Sequence, residues 1–283
     1  RLSEHNTFGI DSKGTFLLDS AVGISCPEEH QKFLLGILNS SWTQIFVNSE
    51  STYVQNRYWN YSQTVLDNIP VYPPEDVDEA SIVITLGGDG TFLGAASRIK
   101  DTTPVLGVNM DPENKEGFLL STDKESFEDF FRKILSGKAK PVKLRRLKAL
   151  VNGRELPRLA LNEFYIGYQK AYHTARYELR IEGRKEFQKS SGLLISTPAG
   201  SHGWTASAGG KKMSLDSGDY QIIVRELYCS SLTSCTTYNK VFSSRQKLSI
   251  RSEMDRGIIV ADSLQPEYNL YKGDMIEIRP SRH

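Results

Sequence analysis

The chain has no run of apolar residues approaching the roughly 18 to 20 that a membrane-spanning helix requires, and no basic stretch followed by an apolar segment at its N-terminus. It is also poor in cysteine. Cys26, Cys229 and Cys235 are odd in number and fit neither a disulfide framework nor a zinc pattern, so a reducing compartment is expected and no metal-ligating residues are singled out. Charge of one sign is not in excess either. The 35 Lys and Arg stand against 34 Asp and Glu, a formal charge of +1, which asks for no nucleic-acid or membrane partner. Repeats and low-complexity segments are missing as well. The expectation is a soluble intracellular protein, with cytoplasm and mitochondrion both left open, whose partners are small molecules.

What is present is a chain of 283 residues, 39% hydrophobic, long enough for two domains of ordinary size. The first seventy residues say little beyond two short runs of helical character, Lys32 to Leu38 and Ser62 to Ile69. From Ser81 to Leu86 a β-branched run closed by glycines predicts a buried strand, and Pro104 to Asn109 predicts another. The helical segment from Phe92 to about Arg98 lies between them, completing a strand–helix–strand unit. Phe127, Phe130, Phe131, Ile134 and Leu135 recur at helical spacing, and Thr122 with Glu125 makes a capping-box pattern, so a helix is expected over Thr122 to Leu135. After Lys143 short β-branched or alternating runs take over: Lys143 to Val151, Leu159 to Ile166, Arg176 to Ile181, Leu193 to Thr197, Gln221 to Val224, Lys247 to Arg251, Gly257 to Ala261 and Met275 to Arg279. The expected architecture is therefore an α/β N-terminal nucleotide-binding domain, residues 1–140, and a β-rich C-terminal domain, residues 141–283, meeting near Lys140-Pro141.

Three motifs carry chemistry. Gly87-Gly88-Asp89-Gly90-Thr91 follows a predicted strand and opens a predicted helix, where bare backbone amides can face a phosphate. A carboxylate there would repel phosphate unless it had a task, and accepting a proton from an attacking hydroxyl or holding a metal ion are two such tasks. A tight turn with Asp89 as helix N-cap is the alternative. Asn162-Glu163 interrupts an apolar run, and the pair offers donors and acceptors suited to vicinal ribose hydroxyls, or simply ends a strand. Ser191 to Trp204, with Thr197-Pro-Ala-Gly-Ser201 at its centre and Thr205 to Gly210 after it, is a strand running into a small-residue turn that can lie flat against a base or ribose.

Taken in order and spacing, these motifs resemble those of NAD kinases, whose fold joins an α/β domain to a β-rich one. Val105 to Asn109, Glu116 to Leu119, Ser190 to Leu193, Ser207 to Gly210 and Val224 to Glu226 extend the likeness. It is strongest to the divergent branch of plant NADH kinases and animal mitochondrial NAD kinases, and it covers roughly Ser81 to Asp274. The resemblance implies transfer of a phosphoryl group from a nucleoside triphosphate, ATP with Mg2+, to the 2′-hydroxyl of the adenosine ribose of NAD or NADH. Asp89 would be the general base or orienting group; Gly87, Gly88, Gly90 and Thr91 would handle phosphates. Asn162 and Glu163 would contact the dinucleotide, and Thr197, Ala199 and Ser201 would line its pocket; His202, a loop histidine, either stacks or hydrogen-bonds at the site or is a bystander there. A homodimer or higher homo-oligomer is also implied.

Four departures from the family pattern stand out. Ser191 occupies the place of a common acidic residue, His202 that of a hydroxyl residue and Trp204 that of a tyrosine. Asp262-Ser-Leu-Gln265 stands where the family has Asp-Gly-Gln, with altered spacing. Two rival functions use part of the same pattern: a diacylglycerol- or sphingoid-type lipid kinase, which shares the Gly-Gly-Asp-Gly turn, and a dinucleotide-binding sensor without turnover.

Overall fold

A computed structural model describes residues 82–231, 233 and 235–281, together with the backbone of residues 2–3, 53–54 and 58–60. The helical runs expected at Lys32 to Leu38 and Ser62 to Ile69 lie outside the described residues. Two compact units make up the chain: Arg1–Ala80 with Lys124–Leu135, and Ser81–Asp123 with Ser136–His283.

The first unit contains the strands β1 (Leu2–Ser3), β2 (Tyr53–Val54) and β3 (Tyr58–Asn60), antiparallel in the order β1-β3-β2. It also holds the helix Phe127–Leu135, which carries Glu128 and Asp129 in its first turn and Arg132 and Lys133 in its last, the arrangement the helix dipole favours. Phe127 and Phe131, one turn apart, stack with ring centroids 5.5 Å apart. This helix begins five residues later than the capping-box pattern suggests. Thr122 and Asp123 pair instead with Val108 and Asn109 as a parallel strand, so a sheet ladder uses the backbone groups that a cap would have used.

The second unit begins with β4 (Val83–Gly87), a helix over Asp89–Ala96, β5 (Val105–Asn109) and β6 (Thr122–Asp123), forming a parallel sheet in the order β4-β5-β6. The β4-helix-β5 crossover is the expected unit, with Gly87 placed opposite Asn109.

Twelve antiparallel strands follow: β7 (Leu147–Val151), β8 (Arg154–Glu155), β9 (Glu163–Tyr168), β10 (Ala175–Ile181), β11 (Arg184–Ser190), β12 (Gly192–Ser196), β13 (Tyr220–Arg225), β14 (Asn239–Phe242), β15 (Leu248–Ser252), β16 (Gly257–Ala261), β17 (Leu264–Leu270) and β18 (Met275–Pro280). They form two sheets, β11-β10-β15-β18-β7-β8 and β14-β13-β12-β9-β16-β17. The first sheet alternates, as in Ala175, Tyr177, Leu179 and Ile181 of β10, with every second residue buried. In the second, β12 and β16 are buried at every position. Phe164, Ile166, Leu193, Ile195, Tyr220 and Ile222 from one sheet meet Tyr177, Leu179, Leu248, Ile250, Ile276 and Ile278 from the other in a single core. The hairpin turns Asn152-Gly153, Glu182-Gly183 and Asp262-Ser263 have positive φ at both residues, the twist that two-residue hairpins favour.

One expectation about cysteine is overturned: Cys229 and Cys235 are joined by a disulfide. Antiparallel pairing of β13 with β14 brings the two ends of their connection together, leaving the cysteine Cα atoms 5.9 Å apart. Among the described residues no helix is long and apolar enough to cross a membrane.

Arg146, just before β7, ties the two parts of the second unit together. One guanidinium nitrogen donates to the carbonyls of Ala96 (3.2 Å) and Ile99 (2.8 Å), at and just beyond the C-terminal end of the Asp89 helix. Arg146→Met keeps the stem and removes these donors. It is expected to lower unfolding stability in urea by about 1–3 kcal/mol without changing the denaturant slope; an unchanged midpoint would show that water serves those carbonyls equally well.

Candidate functional site

The Gly87-Gly88-Asp89-Gly90-Thr91 turn is built by the way β4 hands over to a helix. Gly87 has φ 155°, and a Cβ there would lie 2.5 Å from Thr91 Oγ1, so the side chain of Thr91 folds over the glycine. Gly88 is the N-cap residue and has no side chain to cap with. The first bonds within the helix run from the amides of Thr91 and Phe92 to the Gly88 carbonyl, which leaves the N–H groups of Asp89 and Gly90 outside the ladder at the positive end of the helix dipole. A Cβ on Gly90 would meet nothing within 4 Å, so that side of the turn is open.

Asp89 does not cap its own helix. Its carboxylate reaches the next segment instead, where Oδ1 accepts the N–H of Leu119 at 2.8 Å and Oδ2 that of Phe118 at 3.1 Å. Asn109 prepares this segment: its Nδ2 donates to the Lys115 carbonyl (2.8 Å) and its Oδ1 accepts the Asp111 amide (3.0 Å), folding the chain back after β5. A carboxylate has about four acceptor positions, so both oxygens of Asp89 can still accept from an incoming hydroxyl.

Asn162 and Glu163 sit at the start of β9, and their setting was not foreseen. Asp262, in the β16–β17 turn, accepts three backbone amides, from Leu161 (2.8 Å) to Oδ2 and from Asn162 (2.7 Å) and Glu163 (3.1 Å) to Oδ1. Burial pushes the Glu163 carboxyl up to about 8, and the negative charge of Asp262 adds to the shift. Burial also raises Asp262, to about 6, against the opposing pull of its three amide bonds and of Arg146. Glu163 is therefore mostly neutral near pH 7, and Asp262 carries the charge. Asn162 Oδ1 and Glu163 Oε2 are buried with no hydrogen-bond partner among the described residues. Such atoms are costly unless a ligand satisfies them.

The Thr197 to Ser201 loop closes on the same strand start. Thr197 donates its amide to Asn162 O (2.8 Å) and its hydroxyl to Leu161 O (2.5 Å). A Cβ on Gly200 would fall 2.1 Å from the Asn162 carbonyl oxygen, so only glycine permits this approach. Thr197, Ala199 and Ser201 are buried. Ser201 Oγ donates to Pro198 O (2.6 Å) and accepts the Met213 amide (2.8 Å), so the loop's hydroxyls hold the loop itself. His202 stacks on Phe118 with centroids 4.3 Å apart. Leu161, meanwhile, shares an apolar cluster with Phe92, Leu93 and Ala96 of the Asp89 helix. The three motifs, distant in sequence, thus adjoin one another in the fold.

With this geometry in view, comparison with known proteins is decisive. Residues 30–139 match the ATP-NAD kinase N-terminal domain, and residues 161–283 match the ATP-NAD kinase C-terminal domain. The chain belongs to the NAD kinase family. It is 33% identical to an NADH kinase of Arabidopsis thaliana over 229 residues, 73% of this chain and 71% of that protein. A probable NADH kinase of Oryza sativa subsp. japonica is 28% identical over 73% of this chain and 69% of its own length. Human mitochondrial NAD kinase 2 is 31% identical over 47% of this chain and 40% of its own. The fold is shared with yeast NADH kinase, solved with NADH (TM-score 0.65, 22% identity, 74% of this chain and 61% of that one). It is also shared with an NAD kinase from Archaeoglobus fulgidus, solved with ATP (TM-score 0.62, 24% identity, 74% and 78%).

Several parts of the site were hidden from a reading of this NAD kinase family chain by sequence alone. The amides of Phe118 and Leu119 are backbone groups with no side-chain signature, whereas Asp262 was visible in the place of the late acidic residue and only its clamp was not. Lys115 was also missed: its Cδ would lie 3.3 Å from a Cβ at Gly88, so its stem covers the glycine turn. Ser191 lies elsewhere, lining a cavity of about 390 Å3 with Arg176, Lys189 and Glu226, to which none of the eleven predicted site residues contributes. Among the described residues no group of three or more His, Cys, Asp or Glu forms a metal cage. Mg2+ characteristically keeps several waters and binds through one or two carboxylates plus substrate phosphates, a demand that Asp89 beside an open turn fits.

A carboxyl whose pKa rises on folding contributes fully below its unfolded value of about 4.3 and loses that contribution as pH climbs through the folded value. For Glu163 the window runs up to about 8. The melting temperature of the wild-type chain should therefore fall relative to Glu163→Gln as pH is raised from 5 to 9. A constant difference across that range would show that Glu163 is already ionised throughout.

Proposed function

We propose that the chain transfers the terminal phosphoryl group of a nucleoside triphosphate to the 2′-hydroxyl of the adenosine ribose of NAD or NADH. The observation that carries this is the pair of unsatisfied buried atoms, Asn162 Oδ1 and Glu163 Oε2, beside the apolar cluster that seats the Asp89 helix. A polar ligand is needed at that point, and a ribose supplies hydroxyls that donate and accept. Neutral Glu163 can donate to a ribose oxygen, which a charged carboxylate cannot do. A lipid acceptor offers fewer hydroxyls to share among Asp89, Asn162 and Glu163 than a ribose does, which argues against the lipid-kinase alternative.

In this proposal Asp89 accepts the proton of, or orients, the attacking hydroxyl. Gly87, Gly88, Gly90 and Thr91 let the donor phosphates approach the first-turn amides, with Lys115 adding positive charge. Thr197, Ala199 and Ser201 shape the dinucleotide pocket. A divalent cation, Mg2+ for instance, would neutralise charge on the donor phosphates, and Asp89 is the residue that would hold it. Phosphoryl transfer asks the protein mainly for positioning and charge neutralisation, and the site is furnished for both. Homo-oligomerisation, implied by the family resemblance, is proposed along with this function.

Asp89→Asn is expected to lower turnover about 100-fold or more while dinucleotide affinity, measured by calorimetry, changes little. Wild-type turnover in that variant would remove Asp89 from the reaction. Supplied with ATP and Mg2+, the purified chain should phosphorylate NAD or NADH and leave diacylglycerol untouched. Product from the lipid alone would exclude the assignment, and binding of dinucleotide without product would favour a sensor.

A further inference from the structure

We propose that His202 is a positioning residue for this reaction: its ring braces Phe118, so that the Phe118 and Leu119 amides stay on the Asp89 carboxylate. The proposal rests on the phosphoryl-transfer role given to Asp89 above and extends it to a residue that holds Asp89 indirectly. Asp89 is bound by the two amides at 3.1 and 2.8 Å, so its orientation is only as fixed as residues 118 and 119. Phe118 is 43% exposed and belongs to the connection between β5 and β6 rather than to a strand. A half-exposed ring on a connecting segment holds its position only against a partner, and His202 is that partner, at 4.3 Å between centroids and 15° between planes.

The brace is itself anchored. His202 Nε2 lies 3.0 Å from the Met213 carbonyl and donates to it in the matching tautomer. Met213 in turn gives its amide to Ser201 Oγ at 2.8 Å, and Ser201 donates to Pro198 O at 2.6 Å. A continuous path therefore runs from the Thr197 to Ser201 loop through His202 and Phe118 to Asp89, joining the first and third motifs. A hydroxyl residue at position 202, the usual one in the sequence pattern, could not stack in this way. That difference accounts for an imidazole at this place without requiring it to touch the dinucleotide.

Two substitutions separate the ring from its hydrogen bond. His202→Gln keeps an N–H donor for Met213 and loses the stack, whereas His202→Phe keeps the stack and loses the donor. Amide hydrogen exchange at Phe118 and Leu119 should quicken roughly 3- to 10-fold in His202→Gln and stay near the wild-type rate in His202→Phe, with β12 and β13 protected in both. The turnover number with NAD(H) should fall by a similar factor in His202→Gln, with little change in KM, and recover in His202→Phe. Phe118→Leu should reproduce the His202→Gln result from the other side of the contact. Unchanged exchange in His202→Gln, or a His202→Phe protein no better than His202→Gln, would overturn the brace. If the wild-type chain phosphorylated neither NAD nor NADH, the assigned reaction would fail, while the exchange rates would still decide whether the ring holds the segment.

Discussion

A single buried carboxylate sets the conformation on which the Asn162-Glu163 half of the candidate site depends. Asp262 gathers the amides of three consecutive residues, Leu161, Asn162 and Glu163, at the point where β9 begins. Those amides would otherwise be buried donors at a strand end, and their convergence on one carboxylate fixes the direction in which Asn162 and Glu163 leave the backbone. Burial disfavours a charge on Glu163, and the charge on Asp262 beside it acts in the same sense. A neighbouring pair of acids is thus divided into one that is ionised and structural and one that is neutral and available to a ligand, as happens where two carboxyls share a low-dielectric site.

Around this point the rest of the site is assembled by packing. Leu161 carries the strand start into the cluster formed by Phe92, Leu93 and Ala96, so the helix that displays Asp89 and the strand that displays Asn162 share one apolar seat. Arg146 closes the far end of that helix. The Thr197 to Ser201 loop directs the Thr197 hydroxyl to the Leu161 carbonyl and that of Ser201 to its own Pro198 carbonyl, and presses Gly200 against the Asn162 carbonyl. A surface organised this way has little freedom to rearrange before a ligand arrives, which is the condition for positioning to contribute to rate.

How much of this was legible depended on whether the signal was local. The strands β4, β5, β7, β9, β10, β12, β13, β15, β16 and β18 announce themselves as β-branched, apolar or alternating runs, since each buries its own side chains. The strand β11, Arg-Lys-Glu-Phe-Gln-Lys-Ser, has almost no apolar content; it is a strand because β10 pairs with it along seven residues. In β17 the sequence Leu-Gln-Pro-Glu-Tyr-Asn-Leu is similarly silent, and it lies at the edge of its sheet, where Pro266 is tolerated. The helix expected from Thr122 lost its first turn to a parallel strand pairing, a tertiary competitor that no local pattern records. The Cys229–Cys235 bond likewise depends on the return of β14 beside β13.

For the candidate site, residue types and their order were enough to single out Asp89, Asn162, Glu163 and the Thr197 to Ser201 loop, which the fold brings together, because the chemistry of phosphate and ribose restricts which side chains and how many glycines can serve. The protonation of Glu163, the clamp from Asp262, the amides that hold Asp89 and the stack of His202 on Phe118 were decided only by the tertiary structure. Each depends on the distance and burial of groups some 30 to 100 residues apart in the chain. Composition and spacing along a sequence carry identities, whereas electrostatic and hydrogen-bond energies depend on separation in space.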